Sequence, residues 1–423
     1  MRVSAASKLD RIPRISCLWS SKNKIGTQKL NADVIVIGAG IVGCSTAFHL
    51  AEAGISTLVL EKSEISGEAS GVNMGGLGGA GWGKSPSLQE HLTMGSLDIF
   101  KRLQNELGYD IEFRQSGSFT AVHNEAQYAY ANEQVLEGQN NGFNLELMSP
   151  YEARALEPEL SPDMFGYVYS RFRGQADPLK TTRAFGQAAI QAGATIETDT
   201  EVTAMKHQSK AWKLETSKGS YESGVVVFAT GAWSKVLGKM VGVEIPIEPV
   251  VGQMWTTEPL PPRIFGTIGS FESRFHWSEN LYADMGSPPE LTHTGGQRLT
   301  RHLYGRQRKS GEIIFGGDRR SVGFNKTIEV SGIDVNKEHA TEILPLLIDL
   351  PIASTWSGLM PFSMDGNPII GQVPHNENLF VATGLASSGF GRGPGAGMLI
   401  ADFVAKGIAH PVLHESDPAR FTA

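Results

Sequence analysis

Gly38-Ala39-Gly40-Ile41-Val42-Gly43 sets three glycines at the spacing G-x-G-x-x-G, and an acid, Glu61, follows 23 positions after Gly38. Such glycine hexapeptides arise by chance in a chain with 49 glycines, so context decides what this one means. Asp33-Val-Ile-Val-Ile-Gly38 before it is a short β-branched run, the pattern of a strand buried on both faces. Residues 40–54 read as a helix and Thr57 to Leu60 as a second buried strand ending at Glu61. In that setting each residue has a task. Gly38 permits the tight turn. Gly40 lets a pyrophosphate approach the helix N-terminus, where free N–H groups favour anions. Gly43 lets the helix pack close to the sheet. Glu61 can accept ribose hydroxyls and would repel a 2′-phosphate, which disfavours NADP.

The elements around this unit suggest a nucleotide-binding domain interrupted by a second one. Residues 66–83 form a loop crowded with glycines. Helices are expected at about 88–107, 126–140, from Ser149, at 178–191 and at 395–406. Strands are expected as a pair in 111–122, at 195–205, 213–221, 225–228 and 379–383, with strand-like segments dominating 247–330. Parallel-type strands at both ends enclose antiparallel-type strands. The fold class is therefore α/β, a discontinuous Rossmann-like domain plus an α+β domain with a mainly antiparallel sheet. The expected boundaries are 31–85, 150–240 and 355–415 for the first, and 86–149 and 241–354 for the second.

Composition narrows the classes further. Apolar residues make up 40% and charged residues 19%, an ordinary globular balance. A net charge of −7 argues against nucleic-acid partners. Two cysteines, Cys17 and Cys44, exclude a disulfide scaffold and a four-thiolate zinc site. The eleven histidines, His276, His293 and His302 among them, match no common zinc spacing, and no metal is expected. No apolar run reaches the 18 residues that a membrane helix needs. Residues 1–30 carry seven Lys/Arg against Asp10 alone, with frequent serines and no continuous apolar core. That is the profile of an organellar transit peptide or of a basic disordered extension. The location expected is the cytoplasm or mitochondrial matrix, not the exterior.

Six segments in order resemble the D-amino-acid oxidase-like superfamily of FAD-dependent amine oxidoreductases, over roughly residues 31–410. They are the glycine motif with Glu61; Ala69-Ser-Gly-Val-Asn-Met-Gly-Gly76; Gly174-Gln-Ala-Asp-Pro178; Ala229-Thr-Gly-Ala-Trp233; Asp365-Gly-Asn-Pro368; and Gly389-Phe-Gly-Arg-Gly-Pro-Gly-Ala-Gly397. The resemblance implies bound FAD. Its contacts would be Gly38, Ala39, Gly40, Ile41, Val42, Gly43, Glu61, Lys62, Ala69, Ser70, Asn73, Gly75, Val202, Ala229, Thr230, Gly231, Gly384, Gly389, Phe390 and Gly391. It also implies hydride transfer from the carbon bearing an amine to flavin N5, giving an imine that hydrolyses. The substrate would be a D-amino acid or an N-methyl or other secondary amine. The electron acceptor, whether oxygen, a quinone or a carrier protein, stays open.

Three departures from that family pattern shape the expectations. Met360 stands where many relatives carry an arginine that grips the substrate carboxylate, leaving Arg306, Arg319, Arg320 and Arg392 as candidates. Neither cysteine nor any histidine in 61–83 matches a covalent flavin tether, so FAD is expected to be dissociable. Ile313 and Ile314 lie where sarcosine oxidases carry an oxygen-activating lysine, which tilts the expectation toward a dehydrogenase. Residues 299–306 and 311–317 read as a hairpin. Alternation puts His302, Tyr304 and Arg306 on one face of its first strand. If that face looks at the flavin, Tyr304 would orient the amine and Arg306 the carboxylate; if it looks outward, all three are ordinary surface residues. Trp277 and Tyr282 are candidates for an apolar wall, with core packing the better reading of Trp277. A 2-hydroxy-acid or polyol dehydrogenase, and an assembly factor built on the same fold, remain as alternatives.

Overall fold

The computed structural model describes residues 31–78, 86–279 and 287–421. The basic segment 1–30, the end of the glycine loop at 79–83 and Tyr282 lie outside the described residues.

Two large sheets organise the chain. The first runs in the order Ile369–Gln372, Leu379–Thr383, Gly219–Phe228, Ala32–Ile37, Thr57–Leu60, Thr195–Glu197. Along that order the pairs are parallel except Ile369–Gln372 with Leu379–Thr383, and Ala211–Thr216 and Val202–Gln208 extend from Gly219–Phe228 as antiparallel strands. A parallel sheet must be covered on both faces, and the central strand shows how its sequence meets that demand. Val34 and Val36 enter the core beneath the helices, while Ile35 and Ile37 enter the core on the opposite face. Val225 and Val227 alternate with Val226 and Phe228 in the same way. Each such fully buried side chain contributes about 1.5–3 kcal/mol relative to exposure.

The helices Ile41–Glu52, Pro86–Lys101, Pro178–Gln191 and Gly389–Lys406 cover one face. Pro178 opens its helix with Asp177 as the cap, whose side chain accepts from Lys180 N at 2.8 Å. Pro86–Lys101 continues through a π-helical turn, Arg102–Glu106, in place of the single helix expected to Leu107.

The last helix differs more from expectation: it begins at Gly389, not 395, and contains Pro394. Its glycines are poor helix formers in isolation. Here they are required by packing. A Cβ on Gly393 would stand 2.8 Å from Ile41 Cγ2, one on Gly395 would stand 3.0 Å from Leu92 O, and one on Gly397 would stand 2.7 Å from Ser45 Cβ. Around Pro394 the neighbours compensate the backbone: Ser45 Oγ donates to Pro394 O, and Gly395 N donates to Ser96 Oγ.

The second sheet runs Arg320–Ser321, Ile247–Thr256, Ile313–Gly316, Tyr304–Gln307, Thr267–Ser270, Ser118–Val122, Gly166–Ser170, Leu145–Met148. Ser354–Ser363 pairs with Ile247–Thr256 along its whole length. All pairs are antiparallel but one, Thr267–Ser270 with Ser118–Val122. The helix Val330–Ile343 covers one face, and the other looks toward the first sheet's helix ends.

Sheet membership moves three expected boundaries. Gly166–Ser170 belongs to the second sheet although it falls within 150–240. Ser354–Ser363 belongs there too, so the last segment of the first sheet starts near residue 369. Pro86–Lys101 packs on helix Gly389–Lys406 and shares the first sheet's core. The expected strand pair in 111–122 is one strand, Ser118–Val122, plus a single bridge from Arg114 to Gln175. The expected 195–205 strand is two, Thr195–Glu197 and Val202–Gln208. Among the described residues no single helix is long and apolar enough to cross a membrane.

The junction of the first strand and helix is a very close backbone contact: a Cβ on Gly43 would lie 1.9 Å from Gly38 O. Gly43→Ala should therefore lower stability by about 1–3 kcal/mol, the usual cost of overpacking. Urea unfolding checks it; an unchanged midpoint would refute the close approach.

Candidate functional site

A deep cavity runs between the two sheets. Its first end lies at the carboxyl ends of the parallel strands, where Gly38, Glu61 and Ala229 line it. Helix Ile41–Glu52 points its N-terminus there. Gly40 is its N-cap with no side-chain cap bond, and the first turn carries no acid. Ser70 Oγ accepts from Ile41 N at 3.0 Å. The remaining first-turn N–H groups make an anion-binding edge. Glu61 is 8% exposed. Its Oε2 accepts from Ala39 N at 2.7 Å and its Oε1 from Ser63 N at 2.9 Å. Ser63 Oγ also donates to Oε1 at 3.1 Å, so Oε2 is the oxygen that keeps a lone pair for a hydroxyl in the cavity. Lys62 is held over the Trp233 ring, 3.3 Å from its centroid.

The structure sorts the expected cofactor residues into two sets. Gly38, Gly40, Ile41, Val42, Glu61, Lys62, Ala69, Ser70, Asn73, Val202, Ala229, Thr230, Gly231, Gly389, Phe390 and Gly391 line the cavity. Ala39, Gly43, Gly75 and Gly384 do not, and each stands behind the wall for a packing reason. Ala39 is fully buried. Gly43 abuts Gly38 O. A Cβ on Gly75 would lie 2.1 Å from Ala176 O, and Gly384 turns with φ +75° against Ile369 N.

The other end of the cavity is walled by the second sheet through Gly252, Met254, Thr267 and Tyr304. His302 and Tyr304 line it, as one of the two faces considered for the hairpin requires. Arg306 does not, which corrects the carboxylate role expected of it. It sits further along the strand, 1% exposed, donating to Met74 O, to Ala176 O at 3.3 Å and to Gln175 Oε1 at 3.3 Å. Its guanidinium joins the loop after helix Ala69–Val72 to the strand Gly174–Gln175. Arg320 also stays outside the cavity, paired with Glu329 at 2.6 Å.

Arg319 and Arg392 do line it, together with Arg173 and Arg274, which sequence reasoning did not nominate. Arg319 is 2% exposed. Its NH1 pairs with Glu290 Oε2 at 3.0 Å, its NH2 reaches His302 Nε2 at 2.9 Å, and its plane lies over the Trp277 ring at 4.7 Å. Trp277 is packing beneath this arginine and does not line the cavity.

That contact fixes the tautomer of His302. A guanidinium only donates, so Nε2 must accept. The ring proton therefore sits on Nδ1 and points at Ser273 Oγ, 2.5 Å away. Burial, then Arg319, holds the His302 pKa well below its ordinary value. His302 is thus a neutral strut for Arg319 and offers no free base. Tyr304 differs: its hydroxyl has no hydrogen-bond partner among the described residues and it faces the cavity. Burial raises its pKa above 10, so it remains a phenol donor.

Residues 33–403 match the model of the FAD-dependent oxidoreductase family known as DAO. The chain belongs to that family. It is 27% identical to glycine oxidase of Bacillus licheniformis over 90% of this chain and 95% of that protein. It is 26% identical to the sarcosine oxidase β subunit of an Arthrobacter species, over 93% and 91%. Among solved structures, L-proline dehydrogenase from P. horikoshii superposes with a TM-score of 0.79 at 26% identity, covering 93% of this chain and 99% of that one. Glycine oxidase from Geobacillus kaustophilus reaches 0.80 at 23% identity, covering 93% and 99%.

As a DAO-family chain, this one offers groups that could hold FAD: an uncapped helix end suited to a pyrophosphate, Glu61 suited to a ribose hydroxyl, and Gly389 and Phe390 of the last long helix on the cavity wall. The family departures are also placed. Met360 lines the cavity with no charge to offer. Ile313 and Ile314 are fully buried and do not reach it. Cys44 is buried outside the cavity, with burial, then Glu61, pushing its thiol up to about 12. Elsewhere, His123, Glu272 and His339 form the one group of metal-ligand types among the described residues. Arg301 donates to both oxygens of Glu272, so a cation there would face a fixed guanidinium.

His49, His123, His302 and His339 all have pKa values lowered first by burial, His49 to about 4. Below about 6.5 the unfolded chain therefore binds protons that the folded chain refuses, so stability falls as pH drops. The melting temperature should decline steadily from pH 7 to pH 5 at constant ionic strength. His339→Gln should flatten the decline relative to the parent; an equal slope would refute His339's share.

Proposed function

We propose that the chain oxidises a small amino acid at the C–H bond beside its nitrogen, the substrate being a D-amino acid or an N-methyl or other secondary amine. The carrying observation is the pairing of Tyr304, a phenol whose hydroxyl has no hydrogen-bond partner among the described residues, with Arg319, a guanidinium held by His302 and Glu290, at one end of the FAD-family cavity. Arg319 takes the substrate carboxylate and Tyr304 donates a hydrogen bond to it. Bound FAD supplies the two-electron acceptor for the hydride, and the imine product hydrolyses in water. The relatives support the amine: they are named for glycine, sarcosine and dimethylglycine.

The substrate end holds no carboxylate and no histidine with a free nitrogen among the described residues. An alcohol substrate needs a base to take its proton, so this geometry weighs against the hydroxy-acid reading. An amine escapes that requirement if it binds already deprotonated. We further infer that FAD is held without a covalent bond. Cys44 is sealed away, and both nitrogens of His302 are engaged. A dehydrogenase is favoured over an oxidase, because no lysine lines the substrate end among the described residues.

Three outcomes are expected. The purified protein is yellow, acid precipitation releases the flavin into the supernatant, and anaerobic addition of the right amine bleaches it. kcat/KM rises with pH along the titration of the substrate's own amine, and shifts when an amine of different pKa is used. Loss of Tyr304's hydroxyl in Tyr304→Phe lowers kcat/KM about 10- to 150-fold, the value of one hydrogen bond to a charged group. A protein that holds flavin but is bleached by no amine would overturn the proposal. Reduced enzyme moved into air distinguishes a slow-reoxidising dehydrogenase from an oxidase.

A further inference from the structure

The cavity is electrically two-ended. The carboxylates that line it among the described residues, Glu61, Glu68 and Glu201, belong to the end with the glycine turn and Lys62. The other end carries Arg173, Arg274, Arg319 and Arg392. These four form one cluster. Glu290, which does not line the cavity, feels the charges of Arg319, Arg392 and Arg274, and Arg173 feels both Arg274 and Arg392. Glu290 is the acid set against three of them, with Glu137 also acting on Arg274, and burial pushes the Glu290 pKa up rather than down.

The four arginines differ in how they are held. Arg319 has Glu290 and His302. Arg274 donates to Gln134 Oε1 at 2.9 Å. Arg392 donates to Thr93 Oγ1 at 3.1 Å and to Gln89 Oε1 at 3.3 Å. Arg173 has neither a hydrogen bond nor a carboxylate on its guanidinium among the described residues. Other enclosed arginines have partners: Arg301 is paired with Glu272 and Glu342, Arg420 with Asp365, and Arg306 donates to Met74 O, Gln175 Oε1 and Ala176 O. Burial, then Arg274, pushes Arg173 down to about 10, and burial also pushes Arg392 down to about 10. Enclosing an unpaired guanidinium among like charges is costly, and an anionic ligand offsets that cost.

One substrate carboxylate on Arg319 leaves Arg173 without a counter-charge among the described residues. We propose that the substrate carries a second anionic group, and that Arg173, supported by Arg274 and Arg392, binds it. The substrate class is then an amino or N-alkylamino dicarboxylate. This rests on the amine-oxidation reading for the reacting end of the molecule, but the second anion site stands on the arginines alone.

The test uses the full chain with FAD bound. Acetate, malonate and succinate are titrated as unreactive probes, read by perturbation of the flavin spectrum. At least one dicarboxylate is expected to bind ten-fold or more tighter than acetate, with the preference shrinking as salt is raised. Arg173→Met should remove that preference and leave acetate binding unchanged, and Arg173→Lys should restore part of it. Anaerobic bleaching is then compared for D-aspartate, N-methylaspartate and iminodiacetate against D-alanine, sarcosine and proline, with the dicarboxylates expected to give the higher second-order rate. Equal affinity for acetate and both dicarboxylates overturns the inference even if Arg173→Met does not fold. So does a preference that survives Arg173→Met. Selective dicarboxylate binding without bleaching by any amine upholds the anion site and overturns the amine chemistry. Bleaching by monocarboxylate amines without dicarboxylate preference does the reverse.

Discussion

The structure depends on one close approach of backbone to backbone. At the end of the central strand, Gly38 turns against the carbonyl of Ala229, where a Cβ would stand at 2.6 Å, and Gly43 rests on the carbonyl of Gly38. No side chain fits at either point. Because none is there, helix Ile41–Glu52 can lie flat on the sheet and deliver its N-terminus to the cavity. The last helix then packs on it through further glycines, and Pro86–Lys101 packs on the last helix. The helical layer is thus stacked outward from a contact between main chains, and the binding end of the cavity inherits its shape from that contact.

Built on that layer, the cavity divides its labour between the sheets. The parallel sheet contributes main-chain donors and one acid, suited to a phosphate and a sugar. The second sheet contributes side chains: a phenol, a thioether wall and guanidinium groups. His302 shows why the second kind of surface needs support. A guanidinium in a closed space must be told where to point. A neutral imidazole held by Ser273 does so without adding a charge of its own. Arg306 does comparable service for the wall, drawing carbonyls from two separate segments to one point.

Much of this was legible in the sequence, and for identifiable reasons. The strand Ala32–Ile37, the glycine turn and helix Pro178–Gln191 are written in local patterns: β-branched runs, spacing, and a cap followed by proline. What was lost depends on partners far away in the chain. Gly166–Ser170 looks like any short strand, and nothing within it says which sheet it joins. The glycines of 389–397 argue against a helix until the helices they touch are known. Alternation placed Tyr304 and Arg306 on one face, but it could not show that the cavity ends between them. Arg173 and Arg274 gave no motif at all. Their meaning comes only from standing near one another, with no acid acting on Arg173.

The chain crosses between the two sheets several times, and the last long helix, Gly389–Lys406, also supplies part of the cavity wall. This sets an order of events during synthesis. The strand–turn–helix unit at residues 32–60 emerges early and can fold locally, but the pocket wall supplied by Phe390 and Gly391 is then still hundreds of residues away. The complete cavity wall must therefore wait until Phe390 and Gly391 have been made. The apolar faces that the final helix will cover, on Ile41–Glu52 and Pro86–Lys101, stay open throughout that interval.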